Sequence, residues 1–206
     1  RLTVRDLLTP GRTASTSVQY VKETGFTNAA ATVAETTGAL KPQSDIKFDI
    51  ATTSVTTIAH WVLATRQILD DVPMLQSYID GRLRYGLALV EENQLLNGGG
   101  TGTDLHGIYT QASAFAAPIT IPATVTKIDV LRLAMLQAVL AELPTTGAVM
   151  HPTDWASIEL LKETSGAYLI GNPQGTLSPT LWGIPIVTTQ AIAQDKFLTG
   201  AFRLGA

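Results

Sequence analysis

The most glycine-dense stretch of the chain is residues 95–103, with the sequence LLNGGGTGT, a composition that also occurs in phosphate-binding loops. A P-loop needs a strand before it, a helix after it and a lysine beside its last glycine, because that lysine must reach the β- and γ-phosphates. Here the preceding pattern is helical, and no lysine follows Gly102 until Lys127. A dinucleotide-binding fingerprint fails as well, because it also requires a preceding strand. The stretch instead predicts a helix C-cap at Asn97 and Gly98, followed by a flexible hinge.

Histidine and carboxylate chemistry has little support in the sequence. The chain contains no cysteine and three histidines, which are His60, His106 and His151. No two of them lie at metal-ligand spacing, and no G-x-S-x-G elbow is present for a Ser-His-Asp triad. The adjacent acidic pairs are Asp70 with Asp71 and Glu91 with Glu92. Neighbouring helix positions point about 100° apart, so these pairs predict a helix cap and a solvated face, and no metal or cofactor site.

Lys41 is the one candidate catalytic residue. It lies in the sequence GALKP, between Leu40 and Pro42, near the tip of a predicted hairpin. A surface lysine is usually a solvated charge. A lysine pressed into an apolar contact between subunits loses its proton more readily, and only the neutral amine is a nucleophile.

The composition favours a subunit of an assembly. Of the 206 residues, 45% are hydrophobic and only 15% are charged, against about 25% charged in ordinary soluble domains. The net charge of −3 gives no basic footprint for specific nucleic-acid binding. No apolar run approaches the ~20 residues of a membrane span, so no membrane contact is predicted.

The first half of the chain predicts an extended arm and then a long helix. Residues 46–50 alternate with period two, and large apolar residues are few between 26 and 57, which indicates a β-hairpin arm that needs a neighbouring surface. Its tip is predicted near residues 38–45. Apolar residues at helical spacing then predict a helix over 71–97, near ~40 Å long, that begins at Asp70 and Asp71.

The second half predicts a mixed α+β unit. Thr126 and Asp129 form a capping-box pattern that opens a helix over 128–143. Thr153 is predicted to cap a second helix over 154–163. Short apolar runs predict core strands, which are residues 147–150, 183–187 and 196–199.

Several of these stretches resemble the major capsid proteins of tailed phages, which have the Hong Kong 97-type fold. The similar strings are LTVRDLLTPGRT, GALKPQSDIKF, TIAHWVLATRQILDDVPMLQSYIDGRLRYGLALVEENQLLNGGGTG and WGIPIVTT. The resemblance implies an α+β fold with an extended β-hairpin E-loop, a long spine helix and an axial domain. The implied division is 1–16 as the start of the peripheral domain, 17–57 as the E-loop, 58–104 as the peripheral domain with spine helix 71–97 and a Gly hinge, and 105–206 as the axial domain. The C-terminal return to the peripheral domain is expected beyond residue 206.

The resemblance also implies a mechanical function. Copies of the subunit would form hexamers and pentamers of an icosahedral phage or prophage shell around double-stranded DNA, with the E-loop lying over a neighbouring subunit. Implied partners are the portal, a maturation protease and a scaffold, with packaged DNA contacted only non-specifically and with no cofactor. The implied location is the virion capsid, after assembly in the cytoplasm of the bacterial host.

One branch of the family cross-links its shell, and Lys41 matches the lysine that attacks an asparagine of a neighbouring subunit. A glutamate accepts the proton in that branch, and both partners are expected beyond residue 206. This chain has two more residues just before ALKP than the family pattern. Three alternatives stay open from the sequence: an encapsulin-type bacterial nanocompartment shell, an enzyme that uses the glycine-rich loop, and a monomeric binding module.

Overall fold

The computed structural model describes residues 2–35, 40–63, 73–120, 125–164, 166–170 and 179–204. The chain divides into two compact units, Gly11–Thr57 and a second unit made of Arg1–Pro10 with Ile58–Ala206. The predicted boundary between 104 and 105 lies inside the second unit, and the division into capsid domains stays a prediction. The predicted helix cap at Asp70 and Asp71, and part of the predicted hairpin tip, lie outside the described residues.

The first unit is an antiparallel ribbon of two strands, β1 (Ser17–Thr27) and β2 (Asp45–Ser54). Their pairing shifts by one residue between Glu23 and Gly25, which leaves Thr24 as a β-bulge. Side chains alternate between the two faces of a strand, so an inserted residue exchanges the faces of everything beyond it.

The bulge gathers the large apolar side chains of the arm on one face. Val21 lies opposite Ile50, and Phe26 lies opposite Ile46, although five positions separate the two β1 residues. Without the bulge they would point to opposite sides of the ribbon. We call this surface the apolar arm face, and its members are Val21, Phe26, Ile46, Phe48 and Ile50. The other face pairs Lys22 with Asp49 and Tyr20 with Ala51.

The second unit contains a four-stranded sheet. Its strands are β3 (Gly147–Met150), β4 (Thr180–Leu181), β5 (Ile184–Thr188) and β6 (Phe197–Gly200), in the spatial order β4-β5-β3-β6. β3 runs parallel to β5 and antiparallel to β6, and all four of its residues are buried. A short apolar run without alternation is what a strand covered on both faces requires.

Five helices accompany this sheet among the described residues: α1 (Val4–Leu7), α2 (Pro73–Asn97), α3 (Ile108–Gln111), α4 (Lys127–Leu140) and α5 (Pro152–Glu159). The capping box at α4 is confirmed, with the Thr126 backbone N–H donating to Asp129 Oδ2 at 2.9 Å. The α4 helix ends before the predicted residue 143, and Glu142 has a left-handed φ of 61°.

The predicted cap of α5 is wrong. His151 is the N-cap residue, and its side chain accepts a hydrogen bond from the Thr153 backbone N–H. Pro152 occupies the first helical position, where its missing N–H has no helical partner to lose.

The core lies on both faces of the sheet. Val149 points into a cluster with residues from α1 and the end of α2, whose buried members are Val4, Leu7, Leu96, Val187, Ile192, Leu198 and Phe202. Its neighbours Ala148 and Met150 point into the other cluster, with Leu131, Ile158, Leu181 and Ile186. The period of two along β3 therefore assigns successive residues to different cores.

Candidate functional site

The glycine-rich loop is bonded to itself and to the end of α2. The backbone N–H of Gly98 donates to Gln94 O at 3.1 Å, and that of Gly100 donates to Leu105 O at 3.0 Å. The backbone N–H of Gly107 donates to Gly98 O at 2.9 Å. A phosphate cradle needs backbone N–H groups that point outward and are free to donate. These three N–H groups are already used and cannot donate to a phosphate.

The side chain of Gln94 closes the same loop. Its Nε2 donates to Asp104 Oδ1 at 2.9 Å, and its Oε1 accepts from the Leu105 backbone N–H at 3.1 Å. His106 lies over Gly100, where an added Cβ would be 3.0 Å from the ring. The C-cap of α2 is therefore as predicted, the loop is hydrogen-bonded to the end of the helix, and its role as a hinge stays a prediction.

Gly98→Ala is expected to destabilise the protein by roughly 3 kcal/mol, because overpacking against backbone cannot relax as side-chain crowding can. A Cβ at this position would collide with Leu105 O and approach Gln94 O to 2.7 Å. Gly99→Ala is the matched control, since its Cβ would meet only ordinary contacts at 3.8 and 3.9 Å. Chemical denaturation of both variants measures the difference, and equal midpoints would contradict this account.

The structure does not bring the three histidines together. His60 lies against α2, with its ring 3.0 Å from where a Cβ of Gly86 would stand, and His151 caps α5. Of the second acidic pair, Glu91 binds Arg5 at 3.0 Å. Within the described ranges, no group of three His, Cys, Asp or Glu residues could hold a metal ion.

Lys41 is exposed and lies between the two strands of the arm, outside both. Leu40 beside it is 95% exposed, so the described residues offer no apolar cover at this point.

A charged cluster that the sequence did not indicate joins three elements of the second unit. Lys127 Nζ donates to Asp154 Oδ1 at 2.6 Å and to Asp195 Oδ1 at 3.0 Å. The Asp195 backbone N–H donates to Asp154 Oδ2 at 2.8 Å. The cluster connects the start of α4, the first turn of α5 and the turn before β6.

The cluster borders a groove of about 210 Å³, whose apolar lining residues are Leu131, Met150, Ile158 and Phe197. Burial raises the pKa of Asp154, but Lys127 and the Asp195 N–H outweigh it and hold that pKa below its usual value. The hydrogen bonds of Lys127 to the Asp154 and Asp195 carboxylates raise the pKa of Lys127. Both carboxylate oxygens of Asp154 are engaged, so this carboxylate belongs to a structural clasp and is not an available general base.

Asp154→Asn is expected to lower the free energy of unfolding by ~2 kcal/mol at pH 7, because a charge-assisted bond to a buried acceptor is lost. The folded-state pKa of Asp154 is depressed, so its contribution is present above the unfolded value near 4 and is lost as the pH falls through the folded value. Wild type should therefore lose stability below about pH 4 more steeply than the variant. Denaturation curves from pH 2.5 to 7 test this, and parallel pH profiles would contradict it.

The remaining candidates for function are surfaces. The apolar arm face is 50–70% exposed at each of its five side chains. On α2, Leu75, Ile79 and Leu83 are partly covered, whereas a second row faces outward. We call that row the outer stripe of α2, and its members are Met74, Tyr78, Arg82, Tyr85 and Leu89. Their spacing of four, four, three and four residues keeps them within one side of the helix.

The outer stripe of α2 is mainly apolar and carries one cation. Met74 is 81% exposed and Tyr78 is 65% exposed. The Arg82 guanidinium lies 5.5 Å from the centre of the Tyr85 ring. A helix with apolar residues on a second side needs a second surface to cover them.

Searching the described helices for a segment both long and apolar enough to cross a membrane yields no candidate.

Comparison with known proteins identifies the family. Residues 1–206 match the family described as the phage capsid family. The chain is 48% identical to the major capsid protein of Enterobacteria phage HK97 over 206 residues, which are 100% of this chain and 53% of that protein. It therefore spans about half the length of this relative.

Solved structures show the same fold at low sequence identity. The structure titled "Capsid of empty GTA particle computed with C5 symmetry" aligns with a TM-score of 0.70 at 15% identity, covering 98% of this chain and 73% of that chain. A structure from Microbacterium phage Oxtober96 aligns with a TM-score of 0.71 at 14% identity, covering 98% and 70%. These alignments confirm the predicted α+β capsid fold, and the matches do not favour the encapsulin alternative. The chain belongs to the phage capsid family, a family of structural capsid proteins and not of enzymes.

Proposed function

We propose that this chain is the shell-forming part of a phage or prophage major capsid protein. Copies of it assemble as hexamers and pentamers of an icosahedral shell that encloses double-stranded DNA. The observation that carries the proposal is the apolar arm face, which no other element of the first unit covers among the described residues. A two-stranded ribbon is at best marginally stable alone in water, so a neighbouring subunit supplies the missing surface.

The outer stripe of α2 in a second copy is the surface that receives the arm. The 11 residues of β1 extend ~36 Å, and the 25 residues of α2 extend ~38 Å, so the strand and the helix match in length. Each surface is apolar with one charged side chain in its middle. Glu23 lies opposite Phe48 on the arm face, and Arg82 is the cation of the stripe. Opposite charges at corresponding places fix the register of the contact.

The domain assignment follows from this arrangement. Residues 17–57 act as the E-loop, 71–97 as the spine helix of the peripheral domain and 105–206 as the axial domain. The support is the order of the arm, α2 and the sheet along the chain.

The test is to express the full-length gene and to image the purified material by negative-stain electron microscopy. Uniform shells or capsomer rings are the expected result, and a DNA content distinguishes a phage head from a shell that encloses an enzyme. Discrete monomers or dimers under every assembly condition would overturn the proposal.

The partners and the location follow from the same function. The shell forms in the bacterial host cytoplasm with a scaffold, a portal and a maturation protease, and it ends as the virion capsid. Its contact with packaged DNA is non-specific. The net charge of −3 supports this, because a shell that held DNA tightly would hinder packaging and ejection.

Lys41 is the candidate for covalent cross-linking of the shell. Its amine attacks the side-chain amide of an asparagine in a neighbouring subunit, an isopeptide bond forms, and ammonia leaves while a glutamate accepts the proton. The position supports this role. Lys41 is exposed between the two strands of the arm, and we propose that this arm lies on a neighbouring subunit.

Lys41→Ala is expected to abolish all covalent multimers of mature shells on a denaturing gel, because no other amine occupies that position. Lys47→Ala is the matched control, since Lys47 is also an exposed lysine of the arm but points to its polar face. Mature shells of this variant should still show covalent multimers on the gel. Single bands from wild-type mature shells would contradict cross-linking.

A further inference from the structure

The turn between β4 and β5 holds a tryptophan in an unfavourable backbone conformation. Leu181 pairs with Ile184, so Trp182 and Gly183 form a two-residue hairpin turn. Their φ angles are 48° and 79°, both in the left-handed region. This turn type favours Asn-Gly or Gly-Gly, because a bulky side chain at positive φ is strained. Gly183 fits the turn, and Trp182 does not.

The described fold leaves about half of Trp182 uncovered. The side chain is 49% exposed, and no aromatic or cation contact to it occurs among the described residues. The turn also lies at a corner of the sheet, because β4 is its edge strand in the described structure. A strained residue that its own chain leaves half exposed is a reason to look for function.

The sequence around this turn carries no charge. Residues 164–194 contain no Asp, Glu, Lys or Arg, whereas the chain average of 15% would give about five. Exposed apolar side chains occur in the same stretch, since Tyr168 is 40% exposed and Leu169 is 58% exposed. Loss of charge together with exposed aromatic residues is typical of the core of a protein–protein interface.

We propose that Trp182 is an anchor residue of an interface between copies of this chain, with its indole buried against a neighbouring subunit. This inference rests on the proposed assembly into capsomers and names a residue that drives it. A second copy is the occupant because residues 164–194 supply no charge that would attract phosphates or strongly charged proteins, whereas another copy carries the same uncharged stretch. Tryptophan is among the residue types most often found to dominate interface energies.

The test is Trp182→Asn in the full-length protein, because asparagine is favoured at this turn position. The isolated subunit should melt at the same temperature as wild type or higher, while the fraction of subunits in capsomers or shells should fall at least tenfold. Glu142→Asn is the matched control. It relieves a second left-handed residue, with φ of 61°, outside the uncharged stretch, and it should assemble normally.

A second, spectroscopic experiment uses the fluorescence of Trp182 as the reporter. With Trp61, Trp155 and every further tryptophan of the full-length protein replaced by Phe, the emission of Trp182 should shift to the blue and its quenching by acrylamide should fall on assembly. If wild type assembles and Trp182→Asn assembles equally well, or the emission does not change, the anchor is refuted and the capsid function stands. If wild type forms no multimer, the proposed function fails and the anchor fails with it.

Discussion

A full-length protein with Phe48→Glu is expected to fold normally as a subunit but to form no shells. Phe48 is 63% exposed on the apolar arm face, so its removal costs the single chain little. In the proposed contact the ring is covered, which is worth ~2 kcal/mol per subunit. The introduced glutamate would also lose its hydration in the contact. Glu23 lies directly opposite, so two acids would share the single cation of the outer stripe of α2. Every copy in a shell repeats this loss, so assembly should fail at concentrations where wild type is complete.

The control for this variant lies on the other face of the same ribbon. Tyr20→Glu introduces the same charge at a residue that is 50% exposed and opposite Ala51. Shells should still form, because this face carries the charged pairs and is proposed to remain in water. Sedimentation velocity of both variants separates shells from subunits. Shells from Phe48→Glu, or a failure of both variants alike, would show that the arm does not dock by the apolar arm face.

The arm shows what the sequence could and could not predict. Alternation over residues 46–50 indicates β2 directly, because three large apolar residues recur at period two. The face of β1 was not predictable in the same way. Val21 and Phe26 are five apart, so alternation alone would separate them, and only the backbone pairing reveals the bulge at Thr24. A bulge depends on hydrogen bonds between strands, which the sequence of one strand does not specify.

The second unit shows the same limit at longer range. The missing lysine argues against a P-loop, but the closure of the loop by Gln94 depends on Asp104 and Leu105, ten and eleven residues away. The clasp of Lys127, Asp154 and Asp195 joins residues far apart in the sequence, which only the packed sheet brings together. The cap of α5 was different, because Pro152 at the first helical position already indicates the preceding residue as N-cap.

The sequence did not indicate the outer stripe of α2, because another side of the same helix is also apolar. Leu75, Ile79 and Leu83 recur at helical spacing and define the covered side, so a single amphipathic pattern seemed complete. Tyr78 and Tyr85 belong to a second side that the described residues leave largely uncovered. A surface reserved for another copy has no signature that distinguishes it from core in the sequence, because both are apolar.

Exchanging the charges of Glu23 and Arg82 should restore an assembly that either single change prevents. In the described part of the chain neither side chain has an ion-pair partner, and the Arg82 guanidinium only overlies the Tyr85 ring. Glu23→Arg would place two cations together at the proposed contact, and Arg82→Glu would place two acids there. Close charge pairs at interfaces couple by on the order of 2 kcal/mol, so each single variant should lose at least ten-fold in shell yield.

The double variant Glu23→Arg with Arg82→Glu returns an opposite pair to the same place, so its shell yield should approach that of wild type. Arg84→Glu provides the control, because Arg84 points away from the outer stripe of α2 and pairs with Asp80 at 3.0 Å on its own helix. Combined with Glu23→Arg, it should rescue nothing. A double-mutant cycle on the assembly midpoint measures the coupling.

If the exchanged pair assembles no better than the worse single variant, Glu23 and Arg82 do not meet across subunits. If Arg84→Glu rescues equally well, the effect is one of net charge. Rescue of Glu23→Arg by Arg82→Glu, but not by Arg84→Glu, is the result expected if the arm of one copy contacts the outer stripe of α2 in another.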